Sequence, residues 1–186
     1  MTALPALEAL RDATGESVQL YVRQGAQRLC VVALESPHSL RTIVAVGAVL
    51  PLAQGSAGRV LSGEEVSARG WLASVEEREP GVASVSAPVM GPSGIAESSL
   101  AGRSRRGMSG GADMRAAGAT GGMAGAAGAA GAAGGAVILA AVSVSGPVER
   151  TTRDPGGRYG PLVVRAAAAI EQAAGFAWHP LMPAGS

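Results

Sequence analysis

The sequence predicts an α+β domain, an antiparallel sheet flanked by N- and C-terminal helices. Three observations carry this. Leucines repeat every three residues near the start (Leu4, Leu7, Leu10). Short β-rich runs such as SVQLYVR and AVILAAVSVSGP alternate or run apolar between turn residues. A last run, LVVRAAAAIEQAAG, has helical spacing. Helix, strands, short helices, a strand pair and a final helix, in that order, place helices around one antiparallel sheet.

The first element is an amphipathic helix over 3–14, with Gly15 as its stop. Residues 17–23 alternate, with Val18, Leu20 and Val22 on one face, and QGAQ turns the chain into a second strand at 28–35. RTIVAV (41–46) reads as a third strand ended by Gly47. A short helix is expected from about Ser56 to Ser62. SGEE (62–65) has the form of a capping box that could start another, ending near Gly70. SVEEREPG is a polar segment leading to Gly81, and its acid-rich part, EEREPG, reads as a solvated loop. VASVSAPVM (82–90) and 136–147 are strands, DPGGRYGP is a loop, and 162–175 is a helix with Leu162, Ala166, Ala169, Ile170 and Ala173 on its apolar face. The expected sheet has the terminal helices on one side and the 55–70 segment on the other.

Between the last two strands, GPSG (91–94) has the form of a tight hairpin turn, yet some forty residues follow before the chain returns. Residues 95–135 contain GRSRRG and AGAAGAAGAAGG, a low-complexity stretch with too little apolar area to offset its ordering entropy. The expectation is a disordered insertion in one hairpin. The domain then comprises 1–94 and 136–176, with 177–186 as a flexible tail.

The bulk numbers exclude several classes. The 186 residues suffice for one core, but aromatics are only 3 %, so the core must be built from small side chains. All fifteen basic residues are Arg, and the net charge of +1 leaves no basic footprint for nucleic acid. A single cysteine, Cys30, leaves no internal disulfide and fits a reducing compartment, so a cytoplasmic protein is expected. The start has no secretory-signal pattern. No charge occurs between Arg115 and Glu149, but the strongly apolar part, Val137–Val144, is far short of a membrane span. Cys30, His38 and His179 are scattered without ligand spacing, so neither a metal nor a cofactor is expected.

LPLAQGSAGRVL (50–61) is the motif with most chemical content. It is not a phosphate-binding P-loop, because Ala53 stands where the first glycine belongs. It is close to the nucleophile elbow GxSxG, but Gln54 occupies the first glycine position, and a hydrolase using Ser56 would need a base from His38 or His179. The turn feeds a helix start, where unpaired N–H groups and the helix dipole favour an anion such as a carboxylate. A plain serine cap explains the same residues. Ser143 and Ser145 share a strand face, as do Ser84 and Ser86 on the expected neighbour, so their hydroxyls either line a polar pocket or face solvent.

The run LPALEALRDATGESVQLYV, then VVALESP, RTIVAVGAVLPLAQGSAGR, RGWLASVEEREPGVASVSAPV and LAAVSVSGPVER resembles the C-terminal effector-binding domain of IclR-type bacterial transcription regulators. Only the 95–135 insertion and the last dozen residues lie outside the likeness. The resemblance implies a GAF/profilin-like fold with one pocket for a small organic acid or similar metabolite. It implies effector contacts from Ser56 and Ala57 of the turn, an apolar wall at Leu50, and polar contacts from Ser84, Ser143 and Ser145. Ser74 would stand at a pocket position that is often acidic in the family. It also implies a homodimer or homotetramer, no catalysis, and DNA contact only through a helix-turn-helix head, expected to be absent because Met1 stands almost at the first effector-domain helix. The rival readings are a hydrolase using Ser56 and a ligand-independent oligomerisation module.

Overall fold

A computed structural model describes residues 3–66, 68–92 and 136–175. The chain divides into two compact units, residues 1–91 with 136–186, and residues 92–135. All that follows concerns the first. The expectations for the 95–135 insertion and for the tail after 176 fall on residues outside the described ones.

The helix α1 (Leu4–Thr14) has Pro5 in its first turn, where a missing N–H costs nothing, and ends at Gly15, whose φ of 71° lets its N–H return to the Arg11 carbonyl. The hairpin β1 (Ser17–Gln24) and β2 (Gln27–Leu34) follows. Next come β3 (Val49–Pro51), α2 (Gly55–Leu61), β4 (Leu72–Val75), β5 (Val82–Pro92), β6 (Ala136–Pro147), a single turn α3 (Val148–Thr151) and α4 (Pro155–Ala173). The six strands form one sheet in the order β3-β2-β1-β6-β5-β4, and the pairs β1–β2, β1–β6, β2–β3 and β4–β5 are antiparallel.

Both faces of this sheet are covered. Val18 and Leu20 of β1, Val32 of β2, Val85, Ala87 and Val89 of β5, and Val142 and Val144 of β6 pack against Leu7 and Leu10 of α1 and Val163, Ala166 and Ile170 of α4. The alternate residues, among them Tyr21, Cys30 and Ala141, meet Ala57, Val60 and Leu61 of α2. The α+β class and the antiparallel sheet between helices therefore stand as expected.

Four local expectations need correction. Residues 41–46 are not a strand. Pairing along the outer edge of β2 stops at Cys30, which exchanges hydrogen bonds with Ala48 (2.9 Å) and Gly47 (2.8 Å), and Val31 just beyond it is a β-bulge. The edge strand is the three-residue β3 instead. The capping-box pattern at 62–65 starts no helix, because the Ser62 hydroxyl turns back to the Gly58 carbonyl and Glu64 is drawn to Arg59. Ser74 and Val75, read as the start of the polar segment SVEEREPG, belong to the edge strand β4.

DPGGRYGP is helix and not loop. Asp154 caps it by accepting the Gly157 N–H at 2.9 Å, and Pro155 opens it. Gly156 and Gly160 are needed for packing, since a Cβ on either would strike the Trp71 ring, which lies against α4 just ahead of β4. The buried face of α4 consequently includes Val163 and Ala167, while Ala169 and Ala173 are exposed.

Candidate functional site

A small cavity opens on the α2 side of the sheet, lined by Gln19, Tyr21, Arg28, Gly55, Ser56, Ala57, Ser74, Arg78, Glu79, Val82, Ser84, Ser143 and Ser145. Its free space is about 30 Å³, room for one or two water-sized groups. Of the residues singled out from sequence, Ser56, Ala57, Ser74, Ser84, Ser143 and Ser145 lie on its wall. Leu50 does not. It sits half-buried in β3 opposite Arg28 and packs against the neighbouring apolar cluster.

The strands place the hydroxyls by simple alternation. Ser143 and Ser145 occupy the face of β6 opposite Val142 and Val144, and Ser84 and Ser86 the corresponding face of β5. Ser74 of β4 stands directly across from Ser84. Ser56, fully buried at the start of α2, ties the group together. Its hydroxyl lies 2.8 Å from both Ser84 Oγ and Ser86 Oγ, and its N–H donates to Ser74 Oγ at 3.1 Å. Ser74 Oγ and Ser84 Oγ are 2.9 Å apart. Ser145 donates to Gln19 Oε1 at 3.1 Å. The Ser143 side chain, 3 % exposed, makes no hydrogen bond among the described residues.

The glycine-rich turn already holds an anion supplied by the chain. The Gly55 N–H donates to a Glu77 carboxylate oxygen at 3.2 Å, and Arg59 Nη1 holds the other oxygen at 3.0 Å. Gly55 adopts φ 74°, which a side chain there would strain. Gly58 is required for another reason: a Cβ would collide with the Arg28 guanidinium and the Leu52 carbonyl.

Arg28 is the residue that sequence reading missed. It is 3 % exposed, and Nη1 donates to the Pro51 carbonyl at 2.7 Å and to the Gln54 carbonyl at 2.6 Å, pinning the turn into α2. Its guanidinium carbon stands 5.3 Å from the centre of the Tyr21 ring. Its buried Nε makes no hydrogen bond, and no carboxylate pairs with it among the described residues. Burial pulls its pKa down, the Tyr21 phenol opposes that, and the charge of Arg78 adds to it. Burial likewise pushes the Tyr21 phenol up to about 12 and the Cys30 thiol up to about 11.

The bulge at Val31 explains why Arg28 was overlooked. Leu20 pairs with Val32 but Tyr21 pairs with Cys30, so the extra residue moves Cys30 and Arg28 to the cavity face, away from Val32 and the apolar core. In an unbroken alternation, Arg28 and Val32 would share a face. The only signal available was the charge itself, set in an otherwise apolar strand.

A serine nucleophile is not supported by this geometry. Among the described residues, no histidine lines the cavity. His38 lies beside Gly15, and His179 is outside the described residues. No group of three or more His, Cys, Asp or Glu among the described residues could hold a metal ion. No described helix is long and apolar enough to cross a membrane.

Residues 1–64 match the family model "Bacterial transcriptional regulator IclR C-terminal". No curated protein matches the sequence. Among solved structures, a Rhodococcus sp. protein described as an IclR-family transcriptional regulator shares 21 % identity at a TM-score of 0.58, over 93 % of this chain and 61 % of that one. The chain thus spans about three fifths of that regulator's length. The C-terminal domain of a protein described as a transcriptional regulator from Vibrio cholerae shares 22 % identity at 0.56, over 90 % and 93 % of the two chains. The IclR protein of Thermotoga maritima shares 16 % at 0.62, over 95 % of this chain and 68 % of that one. The first 64 residues are homologous to the C-terminal domain of IclR-type bacterial transcription regulators, and the described chain shares the fold of those regulators.

Proposed function

We propose that the chain is the effector-sensing domain of an IclR-type transcription regulator, built on a GAF/profilin-like fold. The ligand is a small organic acid or similar metabolite, held where Ser56, Ala57, Ser74, Ser84, Ser143 and Ser145 meet, with Leu50 behind the turn. The carrying observation is that four elements, α2, β4, β5 and β6, converge their hydroxyls on one cavity. A hydroxyl-lined cavity beside a buried guanidinium recognises a polar, charged end and not an apolar body. Regulation follows if the ligand binds two arrangements of the protein unequally, shifting a DNA-binding helix-turn-helix domain coupled to this one. The expected setting is the cytoplasm, and the expected assembly is a homodimer or homotetramer.

Thermal shift and calorimetry with a panel of small acids and uncharged analogues test the reading. A true effector at one hundred times its Kd should stabilise the fold by about 2.7 kcal/mol. If no member of the panel stabilises the protein, the sensing reading falls.

A second reading, a module that only self-associates, is favoured by the exposed apolar side chains of Leu40, Ile43 and Val46, each more than 60 % accessible. Sedimentation with and without ligand separates the two. An assembly that no ligand alters supports the second.

A further inference from the structure

We propose that Arg28, and not the glycine turn, supplies the positive charge that selects the ligand, so that the cavity takes a carboxylate and rejects its uncharged isostere. The proposal deepens the sensing reading above and rests on it.

The turn is spoken for. Its Gly55 N–H faces the Glu77 carboxylate and its Ser56 N–H faces Ser74 Oγ. A second anion there would meet a negative charge already in place. Arg28 is in the opposite condition. A buried cation is costly unless a counter-charge and hydrogen bonds compensate it. Arg28 receives two carbonyls at Nη1 and a ring face, but no carboxylate. Among the described residues Glu79 is the one carboxylate on the cavity wall, and it lies 3.4 Å from Arg78 Nη2.

Donors to spare therefore border this space, among them the Arg28 guanidinium and the Ser143 hydroxyl, each on a residue more than nine-tenths buried. The position of a Cβ built on Gly55 marks one place within reach. It lies 3.7 Å from Arg28 Nη2 and 3.9 Å from Ser74 Oγ, next to Arg78. A carboxylate group suits a guanidinium with free N–H groups, since its two oxygens match the donor fork. The limited free volume favours a compact acid. Arg28 also reaches this position by a dedicated route, a bulge that turns it to the cavity and a glycine at 58 that admits its head.

The test uses the full chain with acetate, propionate and their amides, read by calorimetry and by the ¹⁵N–¹H resonance of Arg28 Nε, assigned by its loss in Arg28→Lys. The expected result is that acetate or propionate binds at least tenfold more tightly than its amide, and that the Arg28 Nε–H signal shifts on saturation. Arg28→Gln should weaken carboxylate binding at least tenfold. Because that variant also loses the bonds to Pro51 and Gln54, the acid-against-amide comparison on the unaltered protein decides if it misfolds. Equal binding of acid and amide, or an Nε–H signal unmoved at saturation, overturns the proposal. If only uncharged members of the wider panel bind, Arg28 loses this role while the sensing reading survives. If nothing binds, both fall.

Discussion

On the side of the sheet that meets α1 and α4, the strands offer Val18, Leu20, Val32, Val85, Val142 and Val144, and every one of them is packed by another apolar side chain. From the other side, the intervening positions of the same strands offer Gln19, Tyr21, Arg28, Ser84, Ser86, Ser143 and Ser145. The first side is closed by dispersion and hydrophobic burial, which are non-directional and leave nothing over. The second combines an apolar cluster around Cys30, Val60 and Leu61 with a hydrogen-bonded group of serines, and it leaves a remainder on the cavity wall that includes donors of Arg28 and Ser143. That remainder is where a ligand can gain free energy. Substitutions that test the contrast should divide accordingly: on the apolar side they change stability alone, and on the polar side they separate stability from binding.

The largest effect is expected at Leu7, fully buried between α1 and the sheet. Leu7→Ala should destabilise the fold by about 2–5 kcal/mol, the usual cost of a large-to-small change in a packed core. Urea unfolding measures it. A loss under 1 kcal/mol would show that this side is looser than described. Carboxylate affinity, measured well below the transition, should not change.

Next comes Ser56, whose hydroxyl serves both Ser84 and Ser86. Ser56→Ala strands the buried Ser86 hydroxyl and should cost about 1–3 kcal/mol. Adding Ser86→Ala removes the stranded group, so the double variant should be less damaged than the sum of the single ones. Strict additivity in urea melts would mean that the two hydroxyls do not depend on one another.

How much of this could be read in advance follows the same division. The apolar side was legible because periodicity reports burial: Leu7 and Leu10 in α1 and the run Val18, Leu20, Val22 stand where spacing put them. The serine pairs 84/86 and 143/145 were legible as shared faces, though spacing left open whether those faces met a pocket or solvent. Arg28 was not legible, because a bulge adds one residue without any local mark and reverses the face of all that precedes it in the strand. Nor was the start of α4, where glycines at 156 and 160 read as loop until Trp71 is seen against them. The partner of the glycine turn was hidden for a third reason. Glu77 lies in an acidic run that reads as solvated, and only the tertiary fold brings it to the Gly55 N–H.

A smaller effect should appear in alkali. The Tyr21 phenol and Cys30 thiol, both on the polar side, have pKa values raised by burial, to about 12 and about 11. The folded state therefore holds both protons more tightly than the unfolded chain does. Their contribution is complete below the unfolded thiol's pKa and is lost as pH rises from about 9 through 12. Midpoints of urea unfolding should fall across that range, and Cys30→Ala should flatten the part between pH 9 and 11. A profile as steep in the variant as in the parent would assign the loss to other groups.

The smallest effect on stability is expected at Ser143, and there the contrast between the two sides is sharpest. The residue is 3 % exposed, lines the cavity and makes no side-chain hydrogen bond among the described residues. With no hydrogen bond to another described residue, Ser143→Ala gives up no bond to any of them. The variant should unfold within about 1 kcal/mol of the parent. Carboxylate binding should respond differently, because the lost group is a cavity donor with capacity to spare. A binding loss of tenfold or so without a stability loss fits a hydroxyl kept for a ligand. A stability loss comparable to that of Ser56→Ala would mean that Ser143 already has a partner within the fold and is not a donor kept for a ligand.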